Sequence, residues 1–174
     1  MGQSVELHRQ SAPVSLDLAV LTVSDTRTLE TDTSGALLVS LTENAGHRVR
    51  ARAIVADEPD QMRPLLLDWS VREDVQAILV TGGTGISPRD QTFETVSSLL
   101  TRTLPGYGEL FRMLSYAEIG PACMLSRAVG GLIGGVVILV MPGSRAAVEL
   151  AMTKIILPEL PHIVREASKA PGTR

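Results

Sequence analysis

Short apolar segments alternate with helix-length stretches along the sequence, and this alternation most constrains the fold. Residues 18–23 and 77–80 are almost continuously apolar and contain several β-branched residues, as strands buried on both faces do. Val49–Val55 is a further predicted strand. Because helix-like stretches of about a dozen residues lie between successive strands, we expect helices to connect them. The sequence therefore predicts an α/β domain with a mostly parallel sheet.

Helices are predicted between these strands and after the last one: over Ser34–Asn44 (ended by Gly46), from Asp57-Glu58-Pro59 to Trp69, from Asp90 or Thr92 to Leu100, and from Ser144 to about Ile156. We expect Pro64 to kink the second helix or delay its start, and Pro158 and Pro161 to break or bend the last. Residues 104–120 predict short helices, and residues 128–140 a β-hairpin that turns at Gly134-Gly135.

A single domain over residues 16–167 accounts for these elements, with flexible segments predicted at 1–15 and 168–174. The first fifteen residues lack an apolar run of signal-peptide length. The longest apolar run, Val136–Met141, is far shorter than the roughly 20 residues needed to span a bilayer. We therefore expect a cytoplasmic protein with no membrane partner.

Composition excludes several kinds of function. Sixteen basic and nineteen acidic residues give a net charge of −3, and only five residues are aromatic, which argues against a nucleic-acid partner. The one cysteine, Cys123, is predicted to be buried or half-buried and cannot form an internal disulfide. His8, His47 and His162 are predicted at the surface or near the termini. The chemistry must therefore depend on carboxylates, hydroxyls and backbone amides, which suits phosphoryl or nucleotidyl transfer better than acyl transfer.

Ligands of parallel sheets bind beyond the carboxyl ends of the strands. The stretch Thr81–Asp90, which follows one of the predicted strands, is the most informative of these loops. Its three glycines permit backbone geometry that turns successive amides toward an anion, and Arg89 and Asp90 follow them. It matches neither a Walker loop nor a dinucleotide fingerprint. A tight strand-to-helix turn is the alternative interpretation.

Two other segments have both a structural and a functional interpretation. Pro142-Gly143-Ser144 could bind an anion, although capping of the last helix by Ser144 explains it as well. Ser126-Arg127 could hold a phosphate or carboxylate, although a surface ion pair is the more common role of a lone arginine.

Asp57 and Asp90 each lie between a predicted strand and a predicted helix. Each could be only an N-cap. If they meet at one sheet edge, they could hold Mg²⁺ through oxygen ligands, with Asp25 as a weaker third candidate.

Eight short motifs follow one another in order between residues 17 and 160. They are Thr22–Arg27, Asp32–Gly35, Gly46-His47, Gly82–Gly85 with Arg89-Asp90, Gly106–Glu109, Ser115–Gly120, Ser126–Ala128 and Pro142–Ser144. In order and spacing they resemble the MoaB/MogA family of molybdenum cofactor biosynthesis proteins, and the segment Ser115–Gly120 is closer to the MoaB branch.

This resemblance implies a three-layer αβα domain with a doubly wound, mostly parallel sheet and a small β-hairpin. It implies Mg²⁺-dependent adenylylation of molybdopterin by ATP, in which Asp57 and Asp90 are the catalytic and magnesium-binding residues. A non-catalytic molybdopterin-binding paralogue and a generic nucleotide-binding domain are the alternatives. The residues expected to bind nucleotide phosphates are Thr81, Gly82, Gly83, Thr84, Gly85 and Arg89, and those expected to bind molybdopterin are Ser24, Asp25, Ser126, Arg127, Pro142, Gly143 and Ser144.

The resemblance also implies assembly as a homotrimer or, in the MoaB branch, a homohexamer. A molybdenum-insertion protein is a further expected partner.

Overall fold

One six-stranded sheet organises the protein. The structure is a computed structural model that describes Pro13 and residues 15–169, so the predicted flexible segments lie largely outside the described residues. The strand order is β2-β1-β3-β6-β5-β4. The strands are β1 (Asp17–Val23), β2 (Arg48–Val55), β3 (Ala77–Thr81), β4 (Arg102–Thr103), β5 (Val129–Ile133) and β6 (Val136–Met141).

Six α-helices, a 3₁₀ helix and a π-helical segment make up most of the remaining described chain. The α-helices are α1 (Thr33–Asn44), α2 (Pro59–Ser70), α3 (Thr92–Leu99), α4 (Pro105–Ile119), α5 (Arg145–Ala151) and α6 (Leu157–Ala167). The 3₁₀ helix spans Gly120–Leu125, and the π-helical segment Met152–Ile156 joins α5 to α6. No helix of the described part of the chain is long and apolar enough to cross a membrane.

The central strands are buried on both faces, which gives the protein three layers. Leu18 and Val20 of β1 join the core that α1, α4, α5 and α6 cover. The alternate residues Ala19 and Leu21 join the core beneath α2 and α3. Strands β2, β1, β3 and β6 are parallel, whereas β5 and β4 are antiparallel to their neighbours. The predicted three-layer α/β fold with a mostly parallel sheet is confirmed, as is the β5–β6 hairpin.

Pro64 does not delay the start of the second helix, and Pro158 and Pro161 do not break the last one; the expected kink and bend stay predictions. Helix α2 starts at Pro59 and continues through Pro64, because the one hydrogen bond that Pro64 cannot make is offset by burial of Met62 and Leu66. The last helix likewise continues to Ala167 despite Pro158 and Pro161. A π-helical segment lies just before Pro158, and its hydrogen bonds join residues five apart rather than four. This change in the bonding pattern falls where proline would interrupt an α-helix.

Three further expectations differ from the structure. Residues 105–119 form one helix, α4, because Tyr107 and Phe111 pack into the core and outweigh the low helix propensity of its two glycines. Strand β4 was not predicted, since two residues carry no alternation pattern. His47 is buried, not at the surface: its Nδ1 accepts a hydrogen bond from the Leu16 N–H at 3.3 Å, and burial lowers its pKa. Cys123 is buried, as predicted.

Asp32 fixes the start of α1 beside the carboxyl end of β1. Its Oδ1 accepts a hydrogen bond from the Gly35 N–H at 2.8 Å, and its Oδ2 accepts one from the Thr22 hydroxyl at 2.8 Å. Arg52 of β2 forms an ion pair with Oδ2 at 3.0 Å. Burial alone would raise the pKa of Asp32, but these three donors together lower it.

Replacing Asp32 with alanine should lower the free energy of unfolding at pH 7 by about 2 to 4 kcal/mol, because Arg52 and Thr22 lose a buried acceptor and α1 loses its cap. Because folding lowers the pKa of Asp32, the stabilisation is complete above the unfolded pKa and is lost as the pH falls below about 4. Urea unfolding of wild type and Asp32→Ala at pH 7 and pH 3 measures both effects. Asp60→Ala, which changes an exposed residue in the first turn of α2, is the control. If wild type and Asp32→Ala differ in free energy of unfolding by as much at pH 3 as at pH 7, this account is contradicted.

Candidate functional site

A cavity of about 530 Å³ opens at the edge where the carboxyl ends of the parallel strands β1, β3 and β6 meet. The expected site residues divide into those that line it and those that do not. Asp57, Asp25, Arg89 and Arg127 are absent from its wall. The expected residues that line it are Ser24, Thr81, Gly82, Gly83, Thr84, Gly85, Asp90, Ser126, Pro142, Gly143 and Ser144.

The glycine loop after β3 lies too close to its neighbours for side chains. Gly82 has φ +104°, and a Cβ there would lie 2.2 Å from the carbonyl oxygen of Val23. Gly83 has φ +62°, and a Cβ there would lie 2.3 Å from Oδ2 of Asp57. The Gly82 N–H donates to the carbonyl of Met141 at 3.1 Å. By contrast, the N–H groups of Gly83, Thr84 and Gly85 have no acceptor among the described residues, so three successive amides can bind an anion.

Hydroxyl groups at the cavity join its loops to one another. Thr81 Oγ1 donates to the carbonyl of Pro142 at 3.1 Å, and Ser34 Oγ donates to the carbonyl of Gly143 at 2.8 Å. Ser144 Oγ accepts from the Ala147 N–H at 3.2 Å and caps α5, which confirms the structural interpretation of that serine. These bonds hold the three strand ends in a fixed arrangement.

The carboxylates of Asp57 and Asp90 both lie against the glycine loop. Asp57 is 5% exposed, and its Oδ1 accepts from the Gln91 N–H at 3.0 Å and the Thr92 hydroxyl at 3.4 Å. Asp90 Oδ2 accepts from the Ser87 N–H at 3.0 Å and lies next to Gly85. Neither aspartate is the N-cap residue of the helix that follows it. The two carboxylates therefore meet at one sheet edge, as the magnesium hypothesis requires.

The negative charge that Asp57 and Asp90 bring to the glycine loop makes this pair a candidate cation site. Burial raises the pKa of Asp57, and the negative charge of Asp90 raises it further. No group of three or more acidic, histidine or cysteine side chains in the described residues could hold a metal alone. Mg²⁺ commonly takes one or two carboxylates and completes its shell with water and substrate phosphates, so the pair fits magnesium that binds with a nucleotide.

Arg89 is engaged outside the cavity. Its Nε and Nη2 donate to the two carboxylate oxygens of Asp25, each at 2.7 Å, and its Nη1 pairs with Glu58. Asp25 Oδ1 also accepts from the Asp57 N–H at 3.1 Å. The Arg89 guanidinium, with the help of that N–H, lowers the pKa of Asp25 to about 2. The structure thus pairs Arg89 and Asp25 with each other, whereas we expected them to bind phosphate and pterin separately.

Arg127 also lies outside the cavity wall and holds the glycine loop from behind. Its Nε donates to the carbonyl of Thr84 at 3.2 Å, and its Nη2 donates to the carbonyl of Asp90 at 3.1 Å. Nη1 pairs with Glu94, and the guanidinium lies 5.1 Å from the centre of the Phe93 ring. It faces a second cavity of about 480 Å³. These contacts support the glycine loop, and the expected binding of Arg127 to molybdopterin stays a prediction.

The family model described as "Probable molybdopterin binding domain" matches residues 19–162. Molybdenum cofactor biosynthesis protein B of Bacillus subtilis is 50% identical over 167 residues, which cover 95% of this chain and 98% of that protein. The chain belongs to the MoaB/MogA family of molybdenum cofactor biosynthesis proteins.

Solved structures of this family share the fold. A crystal structure of Molybdenum cofactor biosynthesis protein B aligns with a TM-score of 0.87 and 51% identity, covering 90% of this chain and 98% of that one. The tungsten cofactor synthesizing protein MoaB from Pyrococcus furiosus aligns with a TM-score of 0.81 and 33% identity, covering 91% and 100%. The predicted family is therefore confirmed.

Several cavity residues lie in the MoaB/MogA motifs, but sequence reasoning assigned them no role at the site. Arg27 lines the cavity and donates to the carbonyl of Thr31 at 3.0 Å. Ser115 and Glu118 line it from α4, four and seven residues after Phe111. Their spacing could have placed Ser115 and Glu118 on the same helix face as Phe111, but only if residues 105–119 had been predicted as one helix. The other missed lining residues include Thr22, Asp32 and Ser34.

The loop-supporting role of Arg127 predicts that Arg127→Gln loosens the glycine loop in the ligand-free protein. We expect hydrogen–deuterium exchange of the amides of residues 87–92, several of which are hydrogen-bonded, to accelerate about tenfold. Arg63→Gln, a change on α2, should leave this exchange unchanged. Exchange in Arg127→Gln that equals the wild-type rate would contradict the assignment.

Proposed function

We propose that the protein binds molybdopterin and catalyses its adenylylation by Mg-ATP. One observation carries the proposal: three unpaired amides of the glycine loop line the cavity and lie beside two carboxylates, that of Asp90 in the cavity wall and that of Asp57 just outside it. Amides bind phosphate oxygens, and the carboxylates supply oxygen ligands for magnesium. Membership of a family whose domain is described as molybdopterin-binding supports the identity of the second substrate.

The proposed reaction needs no general base. A phosphate monoester has a second pKa near about 6, so the terminal phosphate of molybdopterin is mostly a dianion at pH 7. One of its oxygens forms a bond to the α-phosphorus of ATP, and the bond from that phosphorus to the β,γ-diphosphate oxygen breaks. The products are adenylylated molybdopterin and pyrophosphate. The main barrier is the approach of two anions.

The residues at the cavity reduce this barrier in different ways. The N–H groups of Gly83, Thr84 and Gly85 donate to phosphate oxygens, and the guanidinium of Arg27 adds positive charge to the wall. Asp57 and Asp90 would hold magnesium, which when bound supplies the positive charge between the two reactants. Gly82 and Gly143 keep the wall free of side chains, so that phosphates can reach the backbone.

A non-catalytic role is the second candidate, and the state of two residues favours it. Asp57 is almost fully buried, and Arg89 is neutralised by Asp25 and Glu58. A protein with these features could hold molybdopterin in the cavity and deliver it without transferring AMP. In either role, a molybdenum-insertion protein is the partner that we propose for the bound product. A generic nucleotide-binding domain would bind ATP with no preference for a pterin.

Incubation with molybdopterin and Mg-ATP should produce AMP-linked molybdopterin and pyrophosphate, measured by mass spectrometry and pyrophosphate release. Asp57→Asn and Asp90→Asn should each lower the rate by at least about 100-fold. The free energy of unfolding should not fall in Asp57→Asn at pH 7, because its raised pKa means that the ionised carboxyl destabilises the fold above about pH 4. Chelation of magnesium should also stop the reaction.

Asp60→Asn, an exposed acidic residue at the start of α2, is the control and should keep the wild-type rate. Unchanged turnover in both site variants would contradict the assignment of the two aspartates. Molybdopterin binding without AMP transfer would support the delivery role instead. ATP binding with no response to molybdopterin would leave the generic nucleotide-binding domain.

We also propose that the chain assembles as a homotrimer or homohexamer. Leu110, Met113, Tyr116 and Ile119 on α4 are 37%, 63%, 60% and 58% exposed. Because residues three apart on an α-helix are rotated by about 60°, these side chains form an apolar stripe that winds around the helix. Met124 and Leu125 extend this apolar stripe onto the 3₁₀ helix that follows. A stripe of large apolar side chains on one helix is typical of an interaction surface. The oligomerisation implied by the family resemblance makes a second copy of the chain its proposed occupant.

Replacing Met113 with lysine should disrupt the assembly, because it introduces a charge into the middle of the apolar stripe. Size-exclusion chromatography with light scattering should show wild type at three or six times the chain mass of 18.6 kDa, and Met113→Lys at a lower multiple. Val71→Lys changes an 81% exposed residue outside the stripe and should not alter the mass. A wild-type mass of one chain would disprove the proposal.

A further inference from the structure

The α4 wall of the cavity differs chemically from its glycine-loop wall. Phe111, Ser115, Glu118 and Ala122 follow one another at helical spacing along α4 and the 3₁₀ helix, and all of them line the cavity. Leu125, also on the 3₁₀ helix, adds to the apolar part of this wall. The wall therefore consists of apolar side chains with a hydroxyl and a carboxylate among them, and that combination suits a flat heterocycle better than a phosphate.

In the described part of the chain Glu118, like Asp57 and Asp90, has no basic partner, whereas four other acidic residues near the cavity do. Asp25 and Glu58 pair with Arg89, Glu94 pairs with Arg127, and Asp32 pairs with Arg52. Within residues 15–169, the carboxylate of Glu118 takes part in no hydrogen bond or ion pair. It is exposed to the cavity and therefore available to a ligand.

Ser115 offers a second polar group to a ligand. It is only 4% exposed, one turn before Glu118 on the same face of α4, and it lines the cavity. Its hydroxyl has no hydrogen-bond partner among the residues that the structure describes. The Ser115 Oγ is not one of the fully buried side-chain atoms that lack a hydrogen-bond partner, so it is accessible from the cavity and available to hydrogen-bond a ligand.

We propose that Glu118, assisted by Ser115, determines the specificity of the cavity for a 2-amino-4-oxopyrimidine ring, the ring that a pterin carries. Such a ring presents two adjacent donors, the N3–H and the 2-amino group. A carboxylate only accepts hydrogen bonds and has two oxygens, so it can receive both donors side by side. This inference rests on the proposed function, because that function makes the ligand a pterin.

The charges of the two walls also fix the orientation of the ligand. An unpaired carboxylate repels a phosphate, whereas the free amides of the glycine loop attract one. A molecule with a phosphate at one end and a donor-bearing ring at the other therefore binds with the phosphate at Gly83–Gly85 and the ring at Glu118. Adenine lacks the adjacent pair of donors, so ATP does not compete for this position. Guanine has the same donor pair, and the test must distinguish it from a pterin.

Binding of two fluorescent probes, 6-hydroxymethylpterin and 6-hydroxymethyllumazine, tests the proposal. The lumazine has a carbonyl where the pterin has its 2-amino group. The carbonyl oxygen cannot donate a hydrogen bond to the Glu118 carboxylate and is repelled by it. Wild type should bind the pterin at least about tenfold more tightly than the lumazine, and Glu118→Gln should lose most of this preference. Glu109→Gln changes a carboxylate on the same helix that faces the second cavity, and it should keep the preference.

The outcomes separate this inference from the proposed function. If wild type binds neither probe, the proposed function itself fails. If it binds the pterin but Glu118→Gln keeps the wild-type preference, only the assignment of Glu118 is overturned. Binding of GMP that depends on Glu118, without binding of the pterin, would overturn the pterin as ligand. Binding of the pterin with the expected loss in Glu118→Gln establishes the assignment.

Discussion

The close contact of three backbone segments at one sheet edge is the constraint on which the candidate site depends. Parallel pairing of β1, β3 and β6 brings their carboxyl ends together, and Gly82 then passes directly beneath the carbonyl of Val23. Gly143 lies against Gly82 from the other side, where a Cβ would be 3.2 Å from the Gly82 Cα. Because no side chain fits between these segments, the glycine-loop wall of the cavity is mostly backbone. A backbone wall offers amide donors at fixed positions, and these are the groups that phosphates require.

Most charges around this edge are arranged in pairs, and the exceptions are informative. Arginines neutralise Asp25, Asp32, Glu58 and Glu94. Asp57 and Asp90 instead have no basic partner among the described residues. Burial and, to a lesser extent, the negative charge of Asp90 raise the pKa of Asp57, although the Gln91 N–H and the Thr92 hydroxyl partly offset these effects. Such an arrangement lowers the stability of the free protein. Unpaired carboxylates of this kind are expected where a bound cation restores the lost stability, so their destabilising effect is consistent with a role in binding.

The sequence was sufficient to predict the layers, the parallel strands and the edge that carries the site, because buried strands and glycine loops have strong local patterns. It was also sufficient to predict that Asp57 and Asp90 lie near each other, because each follows a strand of the parallel sheet and the carboxyl ends of those strands share one edge. It was insufficient for Arg89 and Arg127, because a guanidinium can reach several partners and only coordinates show which ones it meets. It also missed Ser115 and Glu118, whose shared face exists only if α4 is continuous through Gly106 and Gly108.

The two edges of the sheet have a consequence for how copies of the chain can associate. On one side, β2 carries Arg48, Arg50 and Arg52 on alternate positions, and on the other, β4 is only two residues long. A guanidinium-bearing edge and a truncated one are both poor templates for the addition of another strand. Continuous growth of the sheet from one copy of the chain into another is therefore disfavoured, and so is open-ended fibre formation. The proposed assembly would accordingly depend on contacts between helical faces.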